Sequence, residues 1–135
     1  MLTASVLAKE VEVPVYTVRH YTKIGLLNPS KRSDNGYNIY KHSDVGLLRF
    51  IVNAKSLGFT LKEISNIVDR ANHGESPCPL VRGIIEKRIT ETREKIKSLK
   101  RLQKKMETAK LTWEAMEDGV PNGHSVCHLI ESFSE

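Results

Sequence analysis

Aromatic residues are scarce in this 135-residue chain, 6% of the total with a single tryptophan, and there are only two cysteines. No apolar run approaches the roughly 18 residues of a membrane-spanning helix, so no membrane partner is expected. The start, MLTASVLAKEVEV, carries acidic residues and no basic stretch ahead of an apolar one. It does not read as a signal peptide, and a cytoplasmic location is expected. Two cysteines in such a setting suggest thiol or metal chemistry rather than a disulfide framework. There is no phosphate-cradling loop, no nucleophile–base constellation and no long α/β pattern to hold one, so an enzyme is not expected.

What is present begins with charge. Lys and Arg outnumber Asp and Glu by 21 to 16, and the surplus is uneven. Residues 1–70 hold ten basic and six acidic side chains, residues 71–135 eleven and ten. The positive field therefore sits on the N-terminal half, as a phosphate-bearing partner would require. Residues 14–40, PVYTVRHYTKIGLLNPSKRSDNGYNIY, concentrate it. Thr3 is placed to cap a first helix with Val6, Leu7 and Val11 as its apolar stripe. Pro14 suits the start of a second, running to about Ile24, with Val15, Val18 and Ile24 inward and Tyr16, Thr17, Arg19 and Lys23 more outward. Two short helices across a tight turn make a helix-turn-helix. After the Gly25–Pro29 break, a basic turn runs from Lys31 and Arg32 through Asn35-Gly36 to Tyr37 and Tyr40. Asn-Gly predicts a type I′ hairpin, whose two central residues both need φ > 0, and hence a wing.

The expected fold is mainly α: a winged helix-turn-helix over 1–71, a linker at 72–79, a dimerisation helix over 80–114, and a loop with a short helix over 115–135. Ser43-Asp44 opens a helix to about Leu57, and Gly58 ends it. Thr60-Leu-Lys-Glu63 is a capping box opening the next. The Lys55–Phe59 corner between them forms a second basic wing. From Ile85, the positions Ile89, Thr92, Ile96, Leu99, Gln103, Met106, Lys110 and Trp113 alternate by four and three, a heptad seam. One amphipathic helix of about 50 Å cannot bury its own stripe. Antiparallel pairing with a second chain is more economical than folding back.

Together, Leu7-Ala8-Lys9, Thr17-Val-Arg-His-Tyr21, Ile24-Gly-Leu-Leu27, Arg32, Asn35-Gly-Tyr37, Tyr40 and Leu57-Gly-Phe-Thr-Leu-Lys-Glu-Ile64 resemble the MerR family of transcription activators. The resemblance spans essentially the whole chain and is most specific over residues 1–70. It implies a homodimer with antiparallel long helices. The dimer would bind double-stranded operator DNA between promoter elements and distort it into a register that RNA polymerase can use. Carried over by position, Arg19 and Tyr21 on the second helix, Arg32 and Tyr37 on the wing and Lys55 at the second wing contact DNA, with Tyr16 and Thr17 as additions. His20 stands where the family usually has an aromatic, and Asn38 where an Arg often follows.

Cys78 precedes the long helix. Cys127 sits in His-Ser-Val-Cys-His, flanked by His124 and His128. Thiolates and imidazoles suit Zn(II), Cd(II) and Hg(II). In an antiparallel pair, the start of one long helix lies beside the end of the other, so Cys78 of one protomer could meet Cys127 of its partner. The resemblance implies a divalent-metal sensor, because a cysteine at the start of the dimerisation helix accompanies divalent sensing. The metal set is then Cys78, His124 and Cys127, with Glu117, Asp118 or His128 as further candidates. Relatives carry a second loop cysteine, which is missing here, and the mixed ligands favour zinc. Two other readings stay open: oxidant or electrophile sensing through the thiols, and an interaction protein whose coiled coil is the active part.

Overall fold

The computed structural model describes residues 2–134; Met1, Glu135 and the side chain of Lys31, part of the expected basic turn, lie outside the described residues. The chain is mainly helical, in the order β1 (Leu2–Thr3), α1 (Ala4–Val11), α2 (Val15–Lys23), β2 (Lys31–Arg32), β3 (Asn38–Tyr40), α3 (Ser43–Ser56), α4 (Leu61–Asn72), α5 (Cys78–Glu114) and α6 (His128–Glu131). It divides into two compact units, residues 1–88 and 89–135.

In the first unit, Thr3 caps α1 as expected, its hydroxyl accepting the Val6 amide at 3.3 Å. The helix ends at Glu12, which at φ 61° is the one non-glycine residue with positive φ among those described. This left-handed step lets the Val13 amide return to the Ala8 carbonyl at 3.0 Å and closes the turn within three residues. Pro14, extended at ψ 149°, then delivers the chain into α2. The inward residues are Leu7 and Ala8 on α1 and Val18 and Tyr21 on α2. Val6 and Ile24, expected in the core, are 44% and 43% exposed. Ile24 falls at the C-cap, where the helix stops, and Leu27 beyond the Gly25 turn (φ 86°) fills the core instead.

The wing differs from expectation in its turn. Gly36 takes φ 82°, but Asn35 does not have positive φ, so the turn is not type I′. The Gly36 amide donates to the Ser33 carbonyl at 2.9 Å, and Ser33 and Tyr37 exchange further bonds. A five-residue connection has room for an ordinary turn followed by glycine, so only one residue needs the left-handed region. β3 lies at the centre of a three-stranded antiparallel sheet, order β1-β3-β2, with Leu2 opposite Tyr40 and Arg32 opposite Asn38. The two-residue β1 is too short to announce itself by alternation. It ties the amino end of α1 to the wing.

α3 ends through Gly58 at φ 88°, whose amide reaches the Lys55 carbonyl. Phe59, 3% exposed, then turns into the core. The capping box on α4 is present in both halves: the Thr60 amide donates to Glu63 Oε1 at 2.8 Å and the Glu63 amide to Thr60 Oγ1 at 3.1 Å. The same Glu63 carboxylate accepts from Arg88 of α5 at 2.5 Å, with both side chains about one-fifth exposed. Val81, Ile84 and Ile85 pack on the core. α5 begins at Cys78, earlier than expected, because Pro79 is tolerated in a first helical turn.

In the second unit the seam of α5 stands uncovered: Ile96 is 46% exposed, Leu99 64% and Met106 60%. Ala109 is buried, and Met106, Ala109 and Trp113 form an apolar groove with Ile130 and Phe133 from the C-terminal segment.

Candidate functional site

On α2, Tyr16, Arg19, His20 and Lys23 are all exposed. Their spacing of i, i+3, i+4 and i+7 puts them on one face, opposite buried Val18 and Tyr21. A cleft of about 580 Å³ lies beside this face, lined by Thr3, Ser5, Arg19, Tyr37 and Asn38 among others. It joins the guanidinium of α2, the phenol of the wing and the amino end of α1. Unpaired amides and positive partial charge at a helix start favour an anion, so all three components attract phosphate. Tyr37 is 66% exposed, and Arg32 and Lys55 are exposed on β2 and near the end of α3. Thr17 is half-buried in the first turn of α2, its amide on the Pro14 carbonyl.

Tyr21, expected among the DNA contacts, is 8% exposed and packs within the core cluster. Its ring lies 5.5 Å from that of His20, tilted by 46°, leaving the imidazole as the outward member of the pair. Tyr40 is fully buried, with its hydroxyl 2.6 Å from Thr22 Oγ1. His20 and Lys23 share the exposed face of Tyr16 and Arg19, a spacing readable in the sequence.

At the other end, Asp118, Asn122, Ser125, Cys127 and His128 line a cleft of about 450 Å³. Cys127 is half-buried at the N-cap of α6. The His128 ring covers Gly119, where any Cβ would overlap it. His124 and Glu117 are exposed and outside this lining. Glu131 accepts from the Ser125 hydroxyl at 2.5 Å and the Val126 amide at 2.9 Å. The Ser125 hydroxyl first, then the Val126 and Cys127 amides and the charge of His128, hold its carboxyl below the ordinary range. Cys78, exposed at the first position of α5, belongs to the N-terminal unit. Among the described residues, no three His, Cys, Asp or Glu side chains converge on a point that could hold a metal ion.

Comparison with known proteins matches residues 2–71 to the model of the MerR HTH family regulatory proteins. The chain belongs to the MerR family. A second family model, described as MerR, DNA binding, matches residues 45–109. The HTH-type transcriptional regulator ZntR of Escherichia coli K12 is 31% identical over 102 residues, 75% of this chain and 72% of ZntR. The mercuric resistance operon regulatory protein of Bacillus cereus is 32% identical over 98 residues, 73% of this chain and 74% of that protein. Among solved structures, PbrR691 of Ralstonia metallidurans in complex with lead(II) superimposes with a TM-score of 0.75 at 25% identity, covering 98% of each chain. These MerR-family relatives are transcription regulators, and α1 and α2 fall within the stretch matched by the HTH model. No helix among the described residues is long and apolar enough to cross a membrane.

Proposed function

We propose that this MerR-family protein is a homodimeric transcription activator that responds to a soft or borderline divalent metal, zinc favoured, and acts by distorting operator DNA for RNA polymerase. The observation that carries the DNA reading is the cleft shared by Arg19, Tyr37 and the start of α1, beside the exposed stripe of α2. The exposed Arg32 and Lys55 are proposed as further phosphate contacts, with Tyr16 and Thr17 as additions. Dimerisation is supported by the seam of α5, where Ile89, Ile96, Leu99 and Met106 are each at least 45% exposed in the single chain. A stripe of that length on a MerR-family helix needs a second copy to cover it.

The metal reading is supported by donor chemistry and by the names of the relatives. A thiol, an imidazole and a carboxylate line one cleft, as Cys127, His128 and Asp118 do. That combination suits zinc better than an all-thiolate set would. Among the described residues of the single chain no three ligands come together, and antiparallel pairing would complete the set. The proposed ligands are Cys78 of one protomer with Cys127 and His124 of its partner, and Glu117, Asp118 or His128 as the remaining donor. Bound metal would neutralise the thiolates and fix the loop.

Titration of the reduced dimer with Zn(II) against a chelating dye tests this. Stoichiometric uptake is expected, lost in Cys127→Ser and in Cys78→Ser; uptake unchanged in both variants overturns the ligand set. The exposed thiol of Cys78 favours one second reading, in which an oxidant or electrophile is the signal. DNA binding that changes with a thiol reagent but not with Zn(II) would select it.

A further inference from the structure

The loop between α5 and α6 has little apolar material to hold it. Val120 and Val126 are 86% and 85% exposed, and Gly119 and Gly123 interrupt it. Its internal ties are polar: the Asn122 amide on the Ser125 carbonyl at 3.0 Å, and the His124 amide on Asn122 Oδ1 at 2.7 Å. The far end of the helix that follows reaches back to this loop through one side chain. Glu131, the last residue of α6, takes the Ser125 hydroxyl on one carboxylate oxygen and the Val126 amide on the other. Its own amide donates to the Cys127 carbonyl at 3.1 Å. Three consecutive residues, Ser125 to Cys127, are thus gripped by one, while the His128 ring is seated over Gly119.

We propose that Glu131 is a positioning residue, whose grip on Ser125 and Val126 fixes the places of the Cys127 thiol and the His128 imidazole in the C-terminal cleft. This deepens, and rests on, the reading of that loop as the effector site. A short exposed loop without a core opens easily. A charge-assisted pair of hydrogen bonds across five and six residues closes the one segment that carries both donors. Partners that orient ligands in this way typically change metal affinity by about 10–100-fold when removed.

Two readouts test the proposal. In a Cys78→Ser background, an aromatic disulfide reagent reports Cys127 alone, since its thiolate forms a mixed disulfide and releases a coloured thiolate. The rate is expected to rise several-fold in Glu131→Ala and less in Glu131→Gln, which keeps one acceptor oxygen. With both cysteines present, Zn(II) affinity is expected to fall about 10–100-fold in Glu131→Ala and to recover in part in Glu131→Gln. Thermal unfolding and metal-free duplex binding should not change. An unchanged thiol rate with unchanged zinc affinity overturns the proposal. So does a Gln variant no better than Ala in zinc affinity, which would make Glu131 a ligand. A faster thiol rate with zinc binding indifferent to both Glu131→Ala and Cys127→Ser supports the grip and removes the metal reading instead.

Discussion

Two tyrosines five residues apart on α2 show how position, not type, sets a residue's task. Tyr16 is 70% exposed on the outward face of α2, while Tyr21 is 8% exposed among the core residues. Tyr16→Ala is expected to weaken duplex binding and leave the melting curve in place. Tyr21→Ala empties a core site and should destabilise by about 3–5 kcal/mol, as aromatic-to-alanine changes in cores do; urea unfolding measures it. Arg19→Ala removes the one guanidinium of the cleft between α2 and the wing. Affinity should fall for all duplex sequences, and the salt dependence of log K should lose about one unit of slope. Fluorescence anisotropy at several salt concentrations reads both, and an unchanged slope would remove Arg19 from the phosphate contacts. The candidate residues Arg19, Tyr37 and Cys127 were legible from motif and position. Glu131 was not, because its partners lie five and six residues back, at no helical or strand spacing.

Elements here are bounded by side chains whose work can be measured. The capping box of α4 was readable as Thr60-Leu-Lys-Glu63, since both halves are local and lie three residues apart. Thr60→Ala should cost about 1 kcal/mol. The contact of Glu63 with Arg88 could not be read, because it joins residues 25 apart on different helices. The Thr60 amide first, and then Arg88, hold the Glu63 carboxyl below its ordinary value of 4.5, against the opposing effect of burial. A carboxylate with a depressed folded pKa stabilises fully above its unfolded pKa, and that contribution disappears as pH falls through the lower folded value. Stability of the N-terminal unit is therefore expected to fall below about pH 4.5 partly through Glu63. Urea unfolding from pH 7 to pH 3 should show a shallower acid limb in Glu63→Gln, together with lower stability at pH 7. An unchanged limb would rule out this group as a contributor. The wing shows the opposite case: Asn35-Gly36 located the turn, but loop length decided that only Gly36 would be left-handed.

For the whole molecule, the uncovered seam of α5 is the decisive property. Ile96→Glu with Leu99→Glu places charges on the half-exposed stripe of each copy. Sedimentation should then report the monomer mass, and duplex affinity should collapse because two half-sites are no longer read together. A dimer persisting in the double variant would overturn pairing through this face. By itself the sequence determined what depends on neighbours along the chain. That covers the caps at Thr3 and Thr60, the glycine stops, the heptad period and the basic bias of the N-terminal half, since hydrogen bonds and side-chain spacing repeat over three or four residues. Only the tertiary structure decided which side of each short helix faced the core, burying Tyr21 and releasing Val6 and Ile24. It also decided that β1 would join the wing and that Glu131 would turn back to hold the cysteine loop. A two-turn helix has too few apolar positions to settle its own rotation, and a loop takes its shape from partners that its order in the chain does not name.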